Sequence, residues 1–275
     1  MQEIPDTGIR ILTLAQMSMG EPWQLELLHR RKDHVFLWIT RGQGRILLHG
    51  LRRGFGAHNA IFIPAGKLFA LDMNRHVIGQ AMVIPADGRV PLPERTQHLR
   101  LQDGFAQSEL TGLLDAVRRE LDEGKPHMGE ALTAHATLIS IWLRRQMELA
   151  EAEPARSAAD RIVLKFCDQL SLQYGSDLTA ADHADALGIT PTHLARVCKA
   201  RAGLSAADMI SEVVQHEARR LLTRSHLPIN EIARELGFGS AAYFTRFSQQ
   251  HFARTPSQIR KAANVPSPTV AQHTH

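Results

Sequence analysis

The stretch 178-LTAADHADALGITPTHLARVCK-199 is repeated in pattern by a second stretch, 227-LPINEIARELGFGSAAYFTRFSQ-249. Before a central glycine, four positions align at a shift of 49 residues: Leu178 with Leu227, Ala184 with Ala233, Leu187 with Leu236, and Gly188 with Gly237. After the glycine the shift becomes 50 residues, and Leu194, Arg196 and Ser205 align with Phe244, Arg246 and Thr255. A length change confined to the turn is typical of two related helix-turn-helix units. We call residues 178–199 the first unit and residues 227–249 the second unit.

The first unit carries the signals of two short helices joined by a turn. Thr179 followed by Asp182 resembles a capping box that opens a helix ending at Leu187. Gly188 suits the left-handed position after that helix, and Thr190 caps the next one. Periodicity then places two side chains on the buried face, Leu194 and Val197. The opposite face predicts the DNA-binding residues of this unit: Thr192, Ala195, Arg196 and Lys199.

The second unit has the same plan with less hydrogen-bonding capacity on its outward face. Asn230 and Glu231 start its first helix, Gly237 makes the turn, and Ser240 caps the second helix. Periodicity predicts that four aromatic side chains are buried: Tyr243, Phe244, Phe247 and Phe252. The predicted DNA-binding residues are Ser240, Ala241, Ala242, Thr245, Arg246 and Gln249. Because alanine offers no hydrogen bond to a base, we expect this unit to discriminate less between sequences.

Residues 206–225 between the units predict one long helix that holds them at a fixed separation. Three arginines on this connector are candidates for phosphate contacts, although charges on a helix are more often a solvated face: Arg219, Arg220 and Arg224. Two units on one chain would allow a monomer to bind DNA.

Composition bounds the rest of the chain. Over 275 residues, 44% are hydrophobic and 22% charged, which is ordinary for a soluble protein. No run of about 18 apolar residues exists, no secretory pattern opens the chain, and its two cysteines suit a reducing compartment, so we expect a cytoplasmic protein. The net charge of +4 falls between Arg156 and Lys261. That excess favours nucleic-acid binding, although random scatter also produces it.

The N-terminal half predicts strands followed by helices. Short apolar runs separated by glycine, proline and asparagine continue to about residue 85 and indicate a small barrel or sandwich. Helices over 107–123 and 128–150 should form an antiparallel hairpin that serves as a lid on the barrel, a dimer interface, or both. The predicted fold is therefore α+β with two domains. Its boundaries are a sensor barrel at 1–100, a hairpin at 101–150, a linker at 151–160, a DNA-binding domain at 161–262, and a disordered tail at 263–275.

At the repeat, the chain resembles the AraC/XylS family of bacterial transcription regulators. The resemblance covers about 165–261 and rests on the paired units, the connector sequence ARRLL, and 231-EIARELGFGSAAYFTRFSQQHFARTPSQIR-260. The chain departs from the family pattern at Ala253 (usually Gly), at Ser248 and Cys198 (usually Phe) and at Ile259 (usually aromatic). The resemblance implies a cupin-like barrel that senses a small molecule or sets dimerisation. It also implies binding to double-stranded promoter DNA and contact with RNA polymerase, most often as an activator.

A cupin-type enzyme acting on a small acid or sugar is the alternative function. Cupin enzymes bind metal through four ligands, and the corresponding frame here is His29, Arg31, Val35 and Phe69. A lone imidazole does not hold a metal against arginine and two apolar side chains, so we expect no cofactor, no metal and no catalysis.

Arg31 suggests a different ligand. If its guanidinium points into the barrel, it can pair bidentately with a carboxylate, although a surface strand position is equally open. The stretch 183–200 also resembles the family branch that responds to 4-hydroxybenzoate and related aromatic acids. We therefore expect an organic-acid effector and name three candidate binding residues: His29, Arg31 and Trp38.

Overall fold

The computed structural model describes residues 8–73, 76–150, 156–173, 175 and 178–263. The described part contains eight strands, all paired antiparallel, in two sheets. Their bounds are β1 Arg10–Thr13, β2 His34–Arg41, β3 Gly44–Leu48, β4 Leu51–Phe55, β5 Asn59–Ile63, β6 Phe69–Met73, β7 Ile78–Ile84 and β8 Gln97–Arg100. One sheet has the order β1-β7-β2-β5-β8 and the other β4-β3-β6.

The two sheets face each other across an apolar core, and strand β2 shows why. Its residues alternate, so that Val35, Leu37 and Ile39 point toward the three-stranded sheet while Phe36 and Trp38 point to the other side. All five are buried, which explains the continuous apolar run in the sequence. Within the described residues, no hydrogen bonding closes the sheets into one barrel. The predicted closed barrel is therefore not confirmed.

The chain has eleven helices in the described ranges. They are α1 Leu14–Met17, α2 Trp23–Glu26, α3 Gly104–Glu123, α4 Met128–Leu149, α5 Ala158–Gln173, α6 Ala180–Ala186, α7 Pro191–Ala202, α8 Ala206–Arg224, α9 Ile229–Glu235, α10 Ala241–Phe252 and α11 Pro256–Ala263. The short helices α1 and α2 interrupt a region that the sequence predicts as strands. None of the described helices is both long and apolar enough to cross a membrane.

Helices α3 and α4 form the predicted hairpin and cover the outer face of the five-stranded sheet. Asp103 caps α3 by accepting from the backbone N–H groups of Phe105 and Ala106, and Gly124 ends it at φ +58°. Their apolar faces share one core with the sheet, in which the Phe36 and Trp142 rings meet edge to face at 6.3 Å. The hairpin is thus a lid on the sheet.

The C-terminal helices do not stand apart from the sheets. Leu28, Leu47, Leu68 and Ala70 belong to the same buried cluster as apolar residues of α5, α7 and α8. We call this contact between the three-stranded sheet and those helices the junction. Of the predicted linker 151–160, residues 151–155 lie outside the described residues, and α5 begins at Ala158, within the predicted range. Of the predicted tail, only Ala263 is described, and it ends α11.

Candidate nucleic-acid interface

The first unit has the cap geometry that its sequence predicts. Thr179 and Asp182 form a reciprocal capping box at the start of α6, and Gly188 follows that helix at φ +67°. The Thr190 hydroxyl accepts from the backbone N–H of His193, with Pro191 at the first position of α7. These caps fix the angle between α6 and α7.

Helix α7 presents its predicted DNA-binding residues on the face away from the core. Leu194 and Val197 are buried as predicted. Thr192, Arg196 and Lys199 are exposed, and Ala195 is half-buried between them. A helix whose first three turns carry a hydroxyl, a guanidinium and an ammonium on one open face has the donors that base edges and phosphates accept.

Helix α10 of the second unit repeats this arrangement. The Ser240 hydroxyl caps it by accepting from the backbone N–H of Tyr243 at 3.2 Å. The outward face brings together the predicted residues Ser240, Ala241, Ala242, Thr245, Arg246 and Gln249, of which only Thr245 is half-buried. The Thr245 hydroxyl donates to the carbonyl of Ala241 at 2.9 Å, which leaves its methyl group to face outward.

Tyr243 corrects one prediction. The sequence places its ring in the core, but the side chain is 56% exposed. Phe244 is fully buried, whereas Phe247 and Phe252 pack against that core while remaining partly exposed. Tyr243 instead lies on the outward side, where the Arg246 guanidinium carbon is 5.9 Å from its ring centre. The reason is geometric: Tyr243 stands three residues before Arg246, so both share one helix face.

Each of the three connector arginines contacts another side chain of the described residues. Arg220 forms two hydrogen bonds with Glu217, at 2.8 and 2.6 Å. Arg224 donates to Oε1 of Gln24 at 2.8 Å. Arg219 and Arg224 contact α2, which is part of the two sheets and helices α1 to α4 that we call the sheet domain, whereas Arg220 pairs within its own helix. Arg224 remains exposed beside this contact, so the phosphate contacts stay a prediction.

Arg219 and its neighbours form a stack that crosses the junction. The Arg219 guanidinium carbon lies 5.4 Å from the ring centre of Trp23 and 4.6 Å from that of Phe252. Trp23 also meets the His216 ring edge to face at 5.3 Å. Since Trp23 belongs to α2 and Phe252 to α10, this arginine links the sheet domain to the second unit.

Two histidines from different parts of the chain stack at the centre of the junction. The rings of His29 and His216 are 4.3 Å apart and inclined by 12°, and His29 also lies 4.2 Å from the Phe69 ring. His29 and Phe69 are two of the four positions that correspond to the metal ligands of cupin enzymes, and a β-bridge joins their backbones. Burial and the nearby Arg31 lower the pKa of His216 to about 3, and burial lowers the pKa of His29 well below its usual value. Both rings are therefore neutral at pH 7.

Arg31 lies at the junction, between His29 and the end of the connector. Its Nε donates to Nε2 of His29 at 3.5 Å, and no acidic side chain in the described ranges forms an ion pair with it. Burial, with Arg224 and Arg10 nearby, lowers the pKa of Arg31 to about 10. The guanidinium groups of Arg10, Arg31 and Arg224 therefore influence one another. Asp33, which forms an ion pair with Arg10 at 3.3 Å, is the acidic residue beside them.

Trp38 is separated from the other two predicted effector residues. Its side chain is buried between the five-stranded sheet and the helical hairpin, together with Phe36 and Trp142. His29 and Arg31 lie on the junction side instead. The prediction of one site formed by His29, Arg31 and Trp38 is therefore wrong, because alternation along β2 turns Trp38 toward the lid.

Polar contacts also join α5 and α8 to the sheets. Asp168 of α5 accepts from Nε2 of His49 at 2.9 Å and from Lys67 at 2.6 Å. The Glu212 carboxylate on α8 accepts from the backbone N–H of Leu28 at 3.0 Å. These hydrogen bonds join residues far apart in sequence, and the sequence carries no local signal for them. By contrast, the repeat itself shows that His193 and Tyr243 are equivalent positions, because they align at the shift of 50 residues.

Comparison with known proteins agrees with this geometry. Residues 183–262 match a family described as "Helix-turn-helix domain". The HTH-type transcriptional regulator GlxA of Rhizobium meliloti is 31% identical over 136 residues, 47% of this chain and 42% of GlxA. An uncharacterized HTH-type transcriptional regulator of Escherichia coli, YpdC, is 25% identical over 220 residues, 70% of this chain and 77% of YpdC.

Among solved structures, the C-terminal domain of AraT from Geobacillus stearothermophilus is 27% identical, with a TM-score of 0.37, over 43% of this chain and 98% of that domain. The chain thus spans less than half the length of GlxA and about three quarters of YpdC. GlxA and YpdC are both named as HTH-type transcriptional regulators. Residues 183–262 therefore match a helix-turn-helix domain, as the geometry of the two units indicates.

Proposed function

We propose that this protein is a sequence-specific transcription regulator that binds double-stranded promoter DNA with both helix-turn-helix units. One observation carries the proposal: α7 and α10 expose an arginine at equivalent positions, Arg196 and Arg246, on helices that are capped alike. An arginine one turn into a recognition helix is placed to pair bidentately with guanine in the major groove.

The side chains around these arginines differ in the part of the DNA that they can contact. Thr192 and Thr245 offer a methyl group to thymine, while Lys199 and Gln249 lie at the far end of each helix and suit phosphates. Ala241 and Ala242 are exposed and let the backbone of α10 approach the bases closely. The first unit is the main base reader, and the second unit contributes more to position.

Selection of duplexes from a random-sequence library by the full chain tests this function. We expect the parent to enrich one motif, and Arg196→Ala to lose about 1–3 kcal/mol of binding and relax the preference at one base pair. Lys199→Ala should weaken all sequences alike and reduce the salt slope by about one. A parent chain that enriches no sequence would overturn the proposal.

We infer further that the sheet domain is a cupin-like sensor whose effector is an organic acid, and that the acid binds at the junction beside Arg31. Arg31 and Arg224 approach this region from the sheet domain and the connector, respectively, without an ion-pair partner for Arg31 among the described residues. A carboxylate would neutralise this cluster and form charge-assisted hydrogen bonds with it. The adjacent histidine rings are stacked on each other and neutral, so they add no charge to this cluster.

Such an acid would contact both the sheet domain and the connector helix α8, so its binding could change DNA binding. Its binding would change how the sheet domain holds α8, and therefore the separation of α7 and α10 on DNA. Only a ligand that binds one arrangement more tightly than the other can shift that equilibrium.

Thermal unfolding with 4-hydroxybenzoate, and with 4-hydroxybenzamide as the neutral control, tests the effector. We expect the acid alone to raise the unfolding temperature, and Arg31→Ala to abolish the shift while the exposed Lys32→Ala retains it. If a panel of aromatic and aliphatic acids gives no shift, or if Arg31→Ala keeps the full response, the effector proposal fails.

We also propose a homodimer through the hairpin, with activation by recruitment of RNA polymerase. Helix α4 buries one face on the sheet and leaves Leu138 48% exposed beside a groove of about 810 Å³. Sedimentation of the parent and of Leu138→Glu tests the dimer, since a buried carboxylate would separate the subunits. A promoter–reporter assay tests activation: a fall in transcription when the protein is added would mean repression instead.

A further inference from the structure

The exposed arginine of each recognition helix is in contact with a ring that stands three residues before it. In the first unit, Nη2 of Arg196 lies 3.0 Å from Nδ1 of His193. A guanidinium has donors only, so Nδ1 is the acceptor and the ring proton is on Nε2. The backbone N–H of His193 is bound by the Thr190 hydroxyl at 3.2 Å, which fixes the start of this side chain.

In the second unit the equivalent ring is Tyr243, and it acts through its face. The Arg246 guanidinium carbon is 5.9 Å from the ring centre, within the range of a cation–π contact. The ring itself is held by Phe238, whose centre is 5.6 Å away, and the backbone N–H of Tyr243 is bound by Ser240.

The two pairs are the same arrangement made with different chemistry. His193 and Tyr243 align at the shift of 50 residues, as do Arg196 and Arg246. Residues at i and i+3 face each other on a helix, so each ring can limit the rotamers of its arginine. A free arginine loses up to about 2 kcal/mol of rotamer entropy when it is ordered. A side chain already directed at its base loses less on binding, and it distinguishes a correct base from a displaced one.

We propose that His193 and Tyr243 are positioning residues of the DNA interface, which direct Arg196 and Arg246 at their bases without reading a base themselves. The proposal rests on the proposed DNA-binding function and adds specificity determinants to it. The first pair needs a hydrogen-bond acceptor at the place of Nδ1, whereas the second needs only an aromatic face.

Paired substitutions separate these requirements. His193→Asn keeps an acceptor oxygen near the place of Nδ1, and His193→Ala removes it. Tyr243→Phe keeps the ring face, and Tyr243→Leu removes it while retaining an apolar side chain. The probe is the duplex that the parent full chain enriches from a random library, with single substitutions at each base pair.

The readout is discrimination, the ratio of affinities for the enriched duplex and for the duplex mutated at the base pair that Arg196→Ala or Arg246→Ala identifies. His193→Ala should lower discrimination at the Arg196 base pair about fivefold, with the salt slope unchanged, and His193→Asn should retain it. Tyr243→Leu should lower discrimination at the Arg246 base pair about threefold, and Tyr243→Phe should retain it.

Double variants exclude a merely structural role. His193→Ala should have no further effect on discrimination in the Arg196→Ala background, and neither single ring variant should alter the base pair read by the other unit. Unchanged discrimination in His193→Ala and Tyr243→Leu, or additive losses in the double variants, would overturn the positioning roles. A parent that enriches no motif would overturn the proposed function itself, so the two failures are distinguishable.

Discussion

The first unit shares its core with the sheet domain, whereas the second unit has a small core of its own. Apolar residues of α5, α6, α7 and α8 pack with Leu28, Leu47, Leu68 and Ala70 of the sheet domain. The core around Phe244 contains only residues of α8 to α11 and the segments between them. Apart from this core, α10 reaches the sheet domain through Phe252 on Arg219, which in turn contacts Trp23. Two units of similar pattern can therefore differ in what holds them: the first packs against the sheet domain, and the second is attached through the connector.

The largest expected effect comes from a cavity in each of the two cores, which tests whether the cores are independent. Phe166→Ala and Phe244→Ala each remove a fully buried ring and should cost about 3–5 kcal/mol. Hydrogen exchange should show lost protection in both α7 and the three-stranded sheet for Phe166→Ala, and in α9 and α10 alone for Phe244→Ala. Lost protection of the sheet in Phe244→Ala would mean that the second unit is not independent.

A single methyl group at the junction should destabilise the packing of α5 on the three-stranded sheet. Gly50 has φ +86°, and a Cβ there would lie 2.3 Å from Cγ1 of Val163 and 2.7 Å from Sγ of Cys167. Gly50→Ala should destabilise the chain by about 3 kcal/mol, since clash adds to backbone strain. The control is Gly66→Ala, at φ +77° with nothing within 4 Å, which carries strain of about 1–2 kcal/mol only. Equal losses in chemical denaturation would contradict the close packing at Gly50.

Low pH should weaken the junction before it affects the second unit. The pKa of His216 is about 3 in the folded chain because of burial and Arg31, so the unfolded chain takes up a proton first as pH falls below about 6.5. Stability present above that pH should fall by about 1.4 kcal/mol per pH unit for this histidine, down to about pH 3. His216→Phe keeps a ring between His29 and Trp23 and should flatten the slope. An unchanged slope in denaturation between pH 6.5 and 4.5 would exclude His216 as its source.

The C-termini of the two recognition helices should respond in opposite directions to exchange of glycine and alanine. Gly203 ends α7 at φ +79°, and Ala253 ends α10 at the equivalent position at φ +54°. Alanine is strained in this left-handed conformation, so Ala253→Gly should stabilise the second unit by about 1 kcal/mol. Gly203→Ala should destabilise the first unit by a similar amount. Thermal unfolding measures both, and destabilisation by Ala253→Gly would contradict the cap geometry.

The repeat was sufficient to predict the DNA-binding domain, because caps, turns and apolar periodicity are local. Thr179, Gly188, Thr190 and Ser240 all have their predicted roles. The prediction that Tyr243 is buried is wrong, although an aromatic residue in an apolar run suggests burial. Its position on the same helix face as Arg246 leaves the ring exposed.

The junction could not be predicted, because its contacts join residues that are distant in sequence. Asp168 pairs with Lys67 across 101 residues, and Glu212 with Leu28 across 184. The sequence predicts that Arg31 and Trp38 bind the same ligand. In the structure Trp38 packs under the helical hairpin, whereas Arg31 lies at the junction with the connector. The contacts of Arg219 with Trp23 and of Arg224 with Gln24 are likewise long-range and could not be predicted.

The difference between the units is tested most directly by comparing Arg196→Ala with Arg246→Ala on the duplex enriched by the parent chain. We expect Arg196→Ala to cost about 1–3 kcal/mol of binding and to erase the preference at one base pair. Arg246→Ala should cost less and leave the sequence preference of the first unit intact. Equal loss of base preference in the two variants would contradict the unequal roles, and binding unchanged from the parent in both would contradict the interface itself.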